Sequence, residues 1–557
     1  MAGSVLRAGD LRQAARQDLQ FRVPRRPVVR LGVRMRPDGE SWVLDGAPTS
    51  QVMSGRFARE HLAEVLGACD GSRTIAEVGR AAGVDEDAAF QAVSLLWTGG
   101  IVEEGDVEPL DPPAPPELAC LLSRLGDSTG VNDSWQDAAR RLRRARVVVL
   151  GDPEVSDLLA QALAPTLEAR TAPEPQEGDT LAVVVETRAG AEDLERACDR
   201  CWELGLPLLR VRAEHEAVTI GPYVDPGFSP CPRCALAGEE PVGPAPGDSR
   251  RELVAGLAGR AVSALVSRAA LTHLPTDVRR TVLADLTVTD RPVVSLPGCP
   301  RCSVSEGPVA REAPLGARYE QSVAIPPAAF VDAKGHQQHY ASSNLRLQHA
   351  FRRWPVCPRT PLPPADLEAL EVPWETGIPL DEQVPAPGTG RLDAGRLATI
   401  LALAAGLREP LGGQEDDTSV KTRRWTAAGG NIGSVTAYVL VGEHGPVEPG
   451  AYVYVERDHV LAPLGPAPRL PGEVGARLVL TGDIAKVARK YRAFALRVVI
   501  QDCGCAAEVV DLVARALEVE ARAHPAWDEQ ELAAVLGADP GRETVCAVID
   551  LGGRDAL

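Results

Sequence analysis

Lysine is nearly absent from this sequence. The chain has 557 residues and 59 lysines plus arginines, yet only Lys334, Lys421, Lys486 and Lys490 are lysines. A GC-rich coding bias is the ordinary explanation, because methionine is also rare while glycine and proline are abundant. A lysine that survives such a bias marks a place where a titratable amine is useful, since a guanidinium stays charged.

Positive charge is in deficit as well. The 59 cationic residues face 77 Asp and Glu, which gives a formal net charge of −18. So acidic a surface repels phosphate backbones. We therefore expect no nucleic acid among the partners of this chain.

Long apolar runs are missing. The most apolar stretch, Leu397 to Leu407, is shorter than the roughly 20 residues that span a bilayer and predicts a core helix. The N-terminus has no apolar signal segment. The sequence predicts no membrane association and a cytoplasmic location, where the 12 cysteines stay reduced unless they bind metal.

The length predicts roughly three or four domains, and the first of them has the pattern of a winged helix-turn-helix. Val28 to Arg36 and Ser41 to Leu44 predict a hairpin. Three helices follow, the second opened by the capping-box spacing of Thr74 and Glu77, before a strand at Ile101. The third helix, DEDAAFQAVSLLW, has no Arg or Lys and lacks the usual DNA contacts. A peptide-binding or purely structural wing is favoured.

The second segment alternates strands and helices and predicts an α/β fold with a mostly parallel sheet. Its strands are Val147 to Leu150, Leu181 to Val185 and Pro207 to Val211. The turn after the first strand, Gly151 to Glu154, has one glycine, a proline and two carboxylates. Such a turn repels phosphate, so we expect a dinucleotide-type fold without a nucleotide.

The third segment, from about residue 320, predicts an α+β fold. One long helix is expected at Ala506 to Arg522. The expected strands are Val435 to Val441, Ala451 to Glu456, His459 to Leu464, Ala476 to Thr481 and Thr544 to Ile549.

Two identical tetrads are the strongest local signal. Cys231-Pro-Arg-Cys234 and Cys299-Pro-Arg-Cys302 are two CxxC knuckles, which predict a tetrahedral four-thiolate zinc site. Four thiolates leave no open position, so the role predicted for the zinc is structural. For the pair Cys198 and Cys201, and for Cys503-Gly504-Cys505, ordinary buried thiols are the favoured interpretation.

Two further patterns admit both a catalytic and a plain structural interpretation. Lys490 and Tyr491 form a plausible proton-transfer pair, although a solvated basic helix face is the commoner origin of such residues. Arg424 precedes a small-residue loop that contains Gly429, Gly430 and Asn431. Paired glycines permit close backbone approach to a ligand, and a plain loop is equally compatible with them.

The chain resembles proteins of azole-containing ribosomal peptide biosynthesis over nearly its whole length. Residues 319–557, with RRWTAAGGNIGSVTAYVLV and RKYRAFALRVVIQDCG, resemble SagB-type dehydrogenases of the nitroreductase superfamily. Residues 117–318, with PGFSPCPRCALAG and LPGCPRCSVS, resemble the zinc-bearing ThiF-like proteins that accompany YcaO cyclodehydratases. Residues 1–110 resemble the winged RiPP recognition element, which captures leader peptides by strand addition.

The resemblance implies a flavoprotein that oxidises thiazolines or oxazolines to thiazoles or oxazoles with FMN, as in the biosynthesis of thiopeptides or of thiazole/oxazole-modified microcins. Lys490 and Tyr491 match the catalytic Lys-Tyr pair of the family. Arg424, Gly429, Gly430 and Asn431 match its flavin loop. The implied partners are a precursor peptide, a YcaO cyclodehydratase complex and a second copy of the chain in a homodimer.

The sequence departs from the family at the flavin phosphate. The Arg-Ser-x-Arg clamp of the superfamily is replaced by Val384 to Gly390, so Arg391, Arg346 or Arg554 takes its place or FMN binds weakly or not at all. Two hypotheses therefore stand. The leading one is an FMN-dependent azoline dehydrogenase fused to leader-binding and zinc domains. The alternative is a non-enzymatic scaffold that delivers precursor peptide to the cyclodehydratase.

Overall fold

The computed structural model describes residues 7–17, 21–47, 49–125, 130–188, 191–331, 343–370, 391–411, 418, 420–471 and 474–552. The chain forms two compact units, Met1–Tyr340 and Ala341–Leu557. Within the described residues, no helix combines the length and the apolar character needed to cross a membrane. The predicted boundaries of three domains stay predictions.

The N-terminal part of the first unit has a three-stranded antiparallel sheet, in the order β2-β3-β4, and a separate pair of strands, β1 and β5. Trp97, Leu44 and Val65 are buried in its core. The elements are α1 (Ala8–Gln17), β1 (Pro27–Val29), β2 (Arg34–Asp38), β3 (Ser41–Asp45), β4 (Gln51–Met53), α2 (Arg56–Ala68), α3 (Ile75–Ala81), α4 (Glu86–Thr98) and β5 (Val102–Glu104).

The predicted hairpin is only partly correct. Its second half is present as β2 and β3, but Val28 belongs to β1, which pairs with β5 instead. Between β1 and β2, Arg30 is buried and its guanidinium donates to Glu103 at 2.9 Å, which fixes the chain beside β5. The predicted capping box at Thr74 and Glu77 is confirmed. The winged-helix assignment itself stays a prediction.

The second part of the first unit is an α/β fold around a seven-stranded sheet with the order β12-β11-β10-β9-β8-β6-β7. Buried valines and leucines of β6, β8 and β9 form its core with α7 and α10. The elements are α5 (Pro116–Leu125), α6 (Trp135–Arg144), β6 (Arg146–Gly151), α7 (Pro153–Leu163), β7 (Glu168–Thr171), β8 (Leu181–Glu186), α8 (Ala191–Leu204), β9 (Leu208–Ala213), β10 (Ala217–Val224), α9 (Pro232–Ala235), α10 (Asp248–Ser267), β11 (Asp277–Val282), β12 (Val288–Pro292) and α11 (Leu315–Ser322).

The expectation of a mostly parallel sheet is wrong for half of this sheet. Strands β7, β6, β8 and β9 are parallel, whereas β10, β11 and β12 continue the sheet in antiparallel pairs. Residues 214–216 between β9 and β10 and residues 283–287 between β11 and β12 are too few to form the crossover that a parallel neighbour requires.

The second unit is built on a seven-stranded antiparallel sheet with the order β13-β16-β15-β14-β17-β19-β18. The five predicted strands are confirmed with ends shifted by at most two residues, and the predicted core helix is α13. The elements are α12 (Ser343–Gln348), β13 (Thr360–Pro361), α13 (Ala394–Ala405), β14 (Val435–Val441), β15 (Gly450–Val455), β16 (Val460–Gly465), β17 (Ala476–Asp483), α14 (Ile484–Tyr491), α15 (Ala495–Ala516), β18 (Ala521–Ala523), α16 (Glu529–Leu536) and β19 (Glu543–Leu551).

The long helix is displaced from its predicted range. It runs over Ala495–Ala516 rather than Ala506 to Arg522. It ends early because Glu518 adopts a positive φ of 56°, which no α-helix continues. Its added N-terminal half contains buried Val498 and Val499, and it places Asp502 beside the glycine loop.

Candidate functional sites

The four predicted zinc ligands come together in the first unit. Cys231 lies at the N-terminus of the short helix α9, and Cys299 and Cys302 lie in the loop after β12. The Sγ atoms of Cys231 and Cys299 are 3.7 Å apart, and those of Cys234 and Cys302 are 3.6 Å apart. All four ligand atoms lie within 4.8 Å of one another.

These distances fit a tetrahedral zinc ion. Zn–S bonds of ~2.3 Å at tetrahedral angles place neighbouring sulfurs ~3.8 Å apart. Burial raises the pKa of Cys231 to about 11 and also raises the pKa of Cys234. Burial opposes ionisation of Cys299 as well, but N–H groups of Arg301 and Cys302 and the neighbouring thiols lower its pKa to about 6. The spacing of the four sulfurs, rather than these pKa values, indicates a metal site. The cluster could therefore hold zinc, and its four sulfurs leave no position for water or a substrate.

The other thiols singled out in the sequence do not belong to this group of four. Burial raises the pKa of Cys198 and of Cys201 to about 12. Cys503 interacts with the Cys546 thiol, which together with burial raises the pKa of Cys503, while Cys505 is exposed. Cys503 and Cys505 therefore do not act as a pair.

In the turn after β6, the side chain of Asp152 binds the free N–H groups at the start of α7. Asp152 caps α7, since its Oδ1 accepts hydrogen bonds from the N–H groups of Glu154 at 3.1 Å and Val155 at 3.3 Å. Its Oδ2 accepts a hydrogen bond from the Thr187 hydroxyl at 2.9 Å. A carboxylate thus occupies the helix N-terminus where α/β folds bind phosphate.

In the second unit, the small-residue loop is held on both sides. Asp502 of α15 accepts hydrogen bonds from Gly429 N–H at 2.7 Å and from the Ser434 hydroxyl at 2.6 Å. The Asn431 amide donates to Gln348 Oε1 at 3.1 Å. Gly430 and Asn431 both have positive φ, of 59° and 55°, so the loop is a tight, defined turn.

The predicted catalytic pair converges on this turn. A Cβ atom at Gly430 would lie 2.5 Å from Lys490 Nζ and 2.9 Å from Tyr491 Oη, so a side chain there would displace these two groups. Burial lowers the pKa of Lys490. Burial, aided by the charge of Asp502, raises the pKa of Tyr491. The structure thus brings Lys490, Tyr491 and the loop together without assigning them a reaction.

Arg424 is enclosed by protein groups. Its Nη1 donates to Glu456 Oε2 at 2.5 Å, and its side chain is 6% exposed. The guanidinium fills the space beside Gly433 that a Cβ atom would take. Glu456 therefore offsets the charge of Arg424, while Nε and Nη2 are buried without a hydrogen-bond partner among the described residues.

Lys486 also lies beside the glycine loop, a position that the sequence did not predict. It is 7% exposed, and its ammonium group donates to the Gly433 carbonyl at 2.9 Å. Burial is the main cause that lowers its pKa to about 8, and nearby Arg424 acts in the same direction. The i, i+4 spacing of Lys486 and Lys490 on one helix was the available signal.

At Gly429, Gly430 and Gly433, the described residues do not leave the open backbone that a flavin would approach. The spaces at Gly429, Gly430 and Gly433 are filled by Val498, by Lys490 with Tyr491, and by Arg424. The cavity beside Gly433 and Lys486 is about 20 Å³, room for about one water molecule. Of the proposed replacements for the phosphate clamp, Arg346 and Arg391 are exposed, and Arg554 lies outside the described residues, as do 371–390.

Comparisons with known proteins give limited likeness. No protein-family profile and no curated protein matches the sequence. A solved structure titled heterocyclase in complex with substrate and cofactor has a TM-score of 0.39 at 16% identity, covering 50% of this chain and 39% of that one. E. coli MccB has 0.42 at 11%, covering 51% and 98%. The heterocyclase TruD has 0.39 at 17%, covering 62% and 54%.

This chain therefore spans less than two thirds of either heterocyclase and nearly the full length of MccB. Because the TM-scores are low, we base no assignment on these similarities.

Proposed function

We propose that this protein is a peptide-binding scaffold of azole-containing ribosomal peptide biosynthesis, which presents a precursor peptide to a YcaO cyclodehydratase. The sequence resemblance supplies the pathway and the partner. The observation that carries the binding role is a difference between the two edges of the small sheet β2-β3-β4.

One edge of this sheet is guarded and the other is not. Strand β2 carries Arg34, Arg36 and Pro37, which are features that block the addition of another strand. Strand β4 reads Gln51-Val52-Met53, without charge or proline, and Val52 is 63% exposed. Among the described residues, β4 pairs only with β3. An unguarded edge suits a peptide that binds as an added strand.

Helix α4, which corresponds to the recognition helix of a DNA-binding protein, is acidic and is contacted by α1. Helix α4 begins with Glu86 and Asp87, and Arg16 of α1 bonds Asp87 at 2.7 Å. The Arg16 guanidinium also lies 5.0 Å from the Phe90 ring centre. An acidic helix covered in this way supports a peptide as ligand over DNA.

The remaining parts support a binding role. The four-cysteine cluster would hold zinc as a closed structural site, and Asp152 takes the place of a nucleotide phosphate. Among the described residues of the second unit, side chains of the same chain pack against the glycine loop, which favours a structural role over flavin binding. We propose that the second unit serves as a docking or structural domain.

The test is a titration of the full-length protein with the leader segment of a precursor peptide of this pathway. Val52→Lys puts a charge on the unguarded edge and should weaken binding about tenfold or more, because a lysine opposes strand addition. Val288→Lys is the matched control, since Val288 is 47% exposed on the edge strand β12. Equal affinities for all three proteins would refute the assignment to β4.

A second function, FMN-dependent azoline dehydrogenase, is favoured by one observation: Lys490 and Tyr491 converge on Gly430. In the family that the sequence resembles, FMN lies between the subunits of a homodimer. The visible spectrum of the purified protein distinguishes the two functions. Flavin absorbance at one equivalent per chain, or saturable FMN uptake, would favour the dehydrogenase.

A further inference from the structure

The first unit has an arginine-rich cavity outside both sites described above. Its volume is about 530 Å³, within the range of ~300–1,000 Å³ typical of small-molecule sites. Arg140, Arg141 and Arg144 of α6 line it together with Arg268, which follows α10. Asp137 is the one carboxylate among the described lining residues. Four guanidinium groups around one cavity are unexpected in a chain of net charge −18.

The positive charge of this cavity is not balanced from within. Asp137 already bonds Arg140 at 2.7 Å and the Asp133 N–H at 3.0 Å. Arg141 donates its Nε to the neutral amide of Asn132, and Arg144 makes no ion pair or hydrogen bond with the described residues. Arg141 and Arg144 are exposed and have no carboxylate partner among the described residues, so both guanidinium groups are accessible to an anion.

The floor of the cavity is aromatic and rigid. Tyr223 is buried in it, and its ring centre lies 5.8 Å from that of Phe330. The Arg268 guanidinium stacks 3.6 Å from the Phe330 ring centre. Stacking fixes the plane of a guanidinium and favours bidentate bonds to an oxyanion.

The cavity lies at the opposite end of the sheet from the turn where α/β folds bind nucleotides. Ala145, Thr180 and Leu181 line it, so it lies where β6 and β8 begin. The turn capped by Asp152 lies at the other end of β6, where parallel α/β sheets place their ligands.

We propose that this cavity binds a small phosphate-bearing molecule with two or more negative charges. A carboxylate would neutralise only one guanidinium group, whereas a phosphate monoester carries nearly two charges at neutral pH and a diphosphate carries more. The planar fork of arginine matches phosphate oxygens. The proposal does not depend on the function of the peptide-binding edge.

The test is calorimetric titration of the full-length protein with inorganic pyrophosphate at low salt. We expect saturable binding that weakens about tenfold in Arg144→Gln and in Arg141→Gln, because each loses a charged hydrogen bond. Arg143→Gln is the matched control on the same helix. Its side chain bonds the Pro112 carbonyl and does not line the cavity. Thermal unfolding of each variant checks that it is folded.

Three results would overturn the proposal. The first is no saturable binding of pyrophosphate at millimolar concentration. The second is equal weakening by Arg143→Gln, which would mean general charge attraction. The third is tighter binding of a short polyglutamate peptide than of pyrophosphate, which would assign the cavity to acidic peptides instead.

Discussion

Arg424 and Glu456 form an ion pair of 2.5 Å in which the side chains are 6% and 17% exposed. The pair joins the loop that precedes the glycines to the end of β15. Arg424, the arginine of the predicted flavin loop, is thus bound to a carboxylate of the same chain.

Breaking this pair should be costly. Glu456→Gln leaves Arg424 buried without a counter-charge and beside Lys486, and we expect a loss of about 3 kcal/mol in the free energy of unfolding. Replacing both partners by leucine should recover most of the loss. Urea unfolding of Glu456→Leu, of Arg424→Leu and of the double variant measures the coupling, and additive losses would contradict the pairing.

Gly430→Ala should destabilise the second unit by about 1–3 kcal/mol, because the position has a φ of 59° and its Cβ would meet Lys490 and Tyr491. Gly504→Ala is the control. Gly504 lies within α15 with nothing near its Cβ position, so alanine should stabilise by about 0.5–1 kcal/mol. Thermal unfolding measures the stability of both variants. A Gly430→Ala protein as stable as the wild type would contradict the turn described at Gly430.

Lys486 gives a pH signature. Its pKa is about 8 in the folded chain and ~10.4 when unfolded, so between these values the unfolded chain holds one more proton. Stability from this group therefore rises with pH across that window and is lowest below it. Lys486→Met should raise the melting temperature at pH 7, and its advantage should shrink by pH 10.

The control for this prediction is Lys421→Met, because Lys421 is exposed. It should give no difference that depends on pH. A Lys486→Met protein less stable than the wild type at pH 7 would show that the bond to the Gly433 carbonyl outweighs the burial of the charge.

Removal of the metal should act on the first unit. We expect one zinc per chain by elemental analysis, lost in Cys302→Ser, with a fall in stability of several kcal/mol because the binding energy of a structural zinc contributes to folding. Cys69→Ala, at a buried thiol outside the cluster, should retain zinc. A metal-free protein that unfolds at the same temperature as the wild type would contradict a structural role.

Local patterns in the sequence were sufficient for many elements. Strands β14 and β17 are predicted closely because their buried residues form uninterrupted runs bounded by turn residues. The helix cap at Thr74 follows from spacing alone. The identity of the two CPRC tetrads likewise predicts four thiols that come together across 68 residues.

Relationships between distant segments were not accessible in this way. The direction of β10 depends on its short connection and its neighbours, which hydrophobic periodicity does not record. The start of α15 was missed because Gln501, Asp502 and Gly504 interrupt its apolar pattern, although Asp502 has a role in holding Gly429. Glu456 could not be identified, since its partner Arg424 is 32 residues away.

The most direct test of the proposed function is hydrogen–deuterium exchange of the full-length protein with and without the precursor peptide. If the peptide binds as an added strand, amides of residues 51–53 in β4 should become protected, while those of the guarded strand β2 should not change. Binding that protects other segments and leaves β4 unchanged, or no binding at all, would contradict the account.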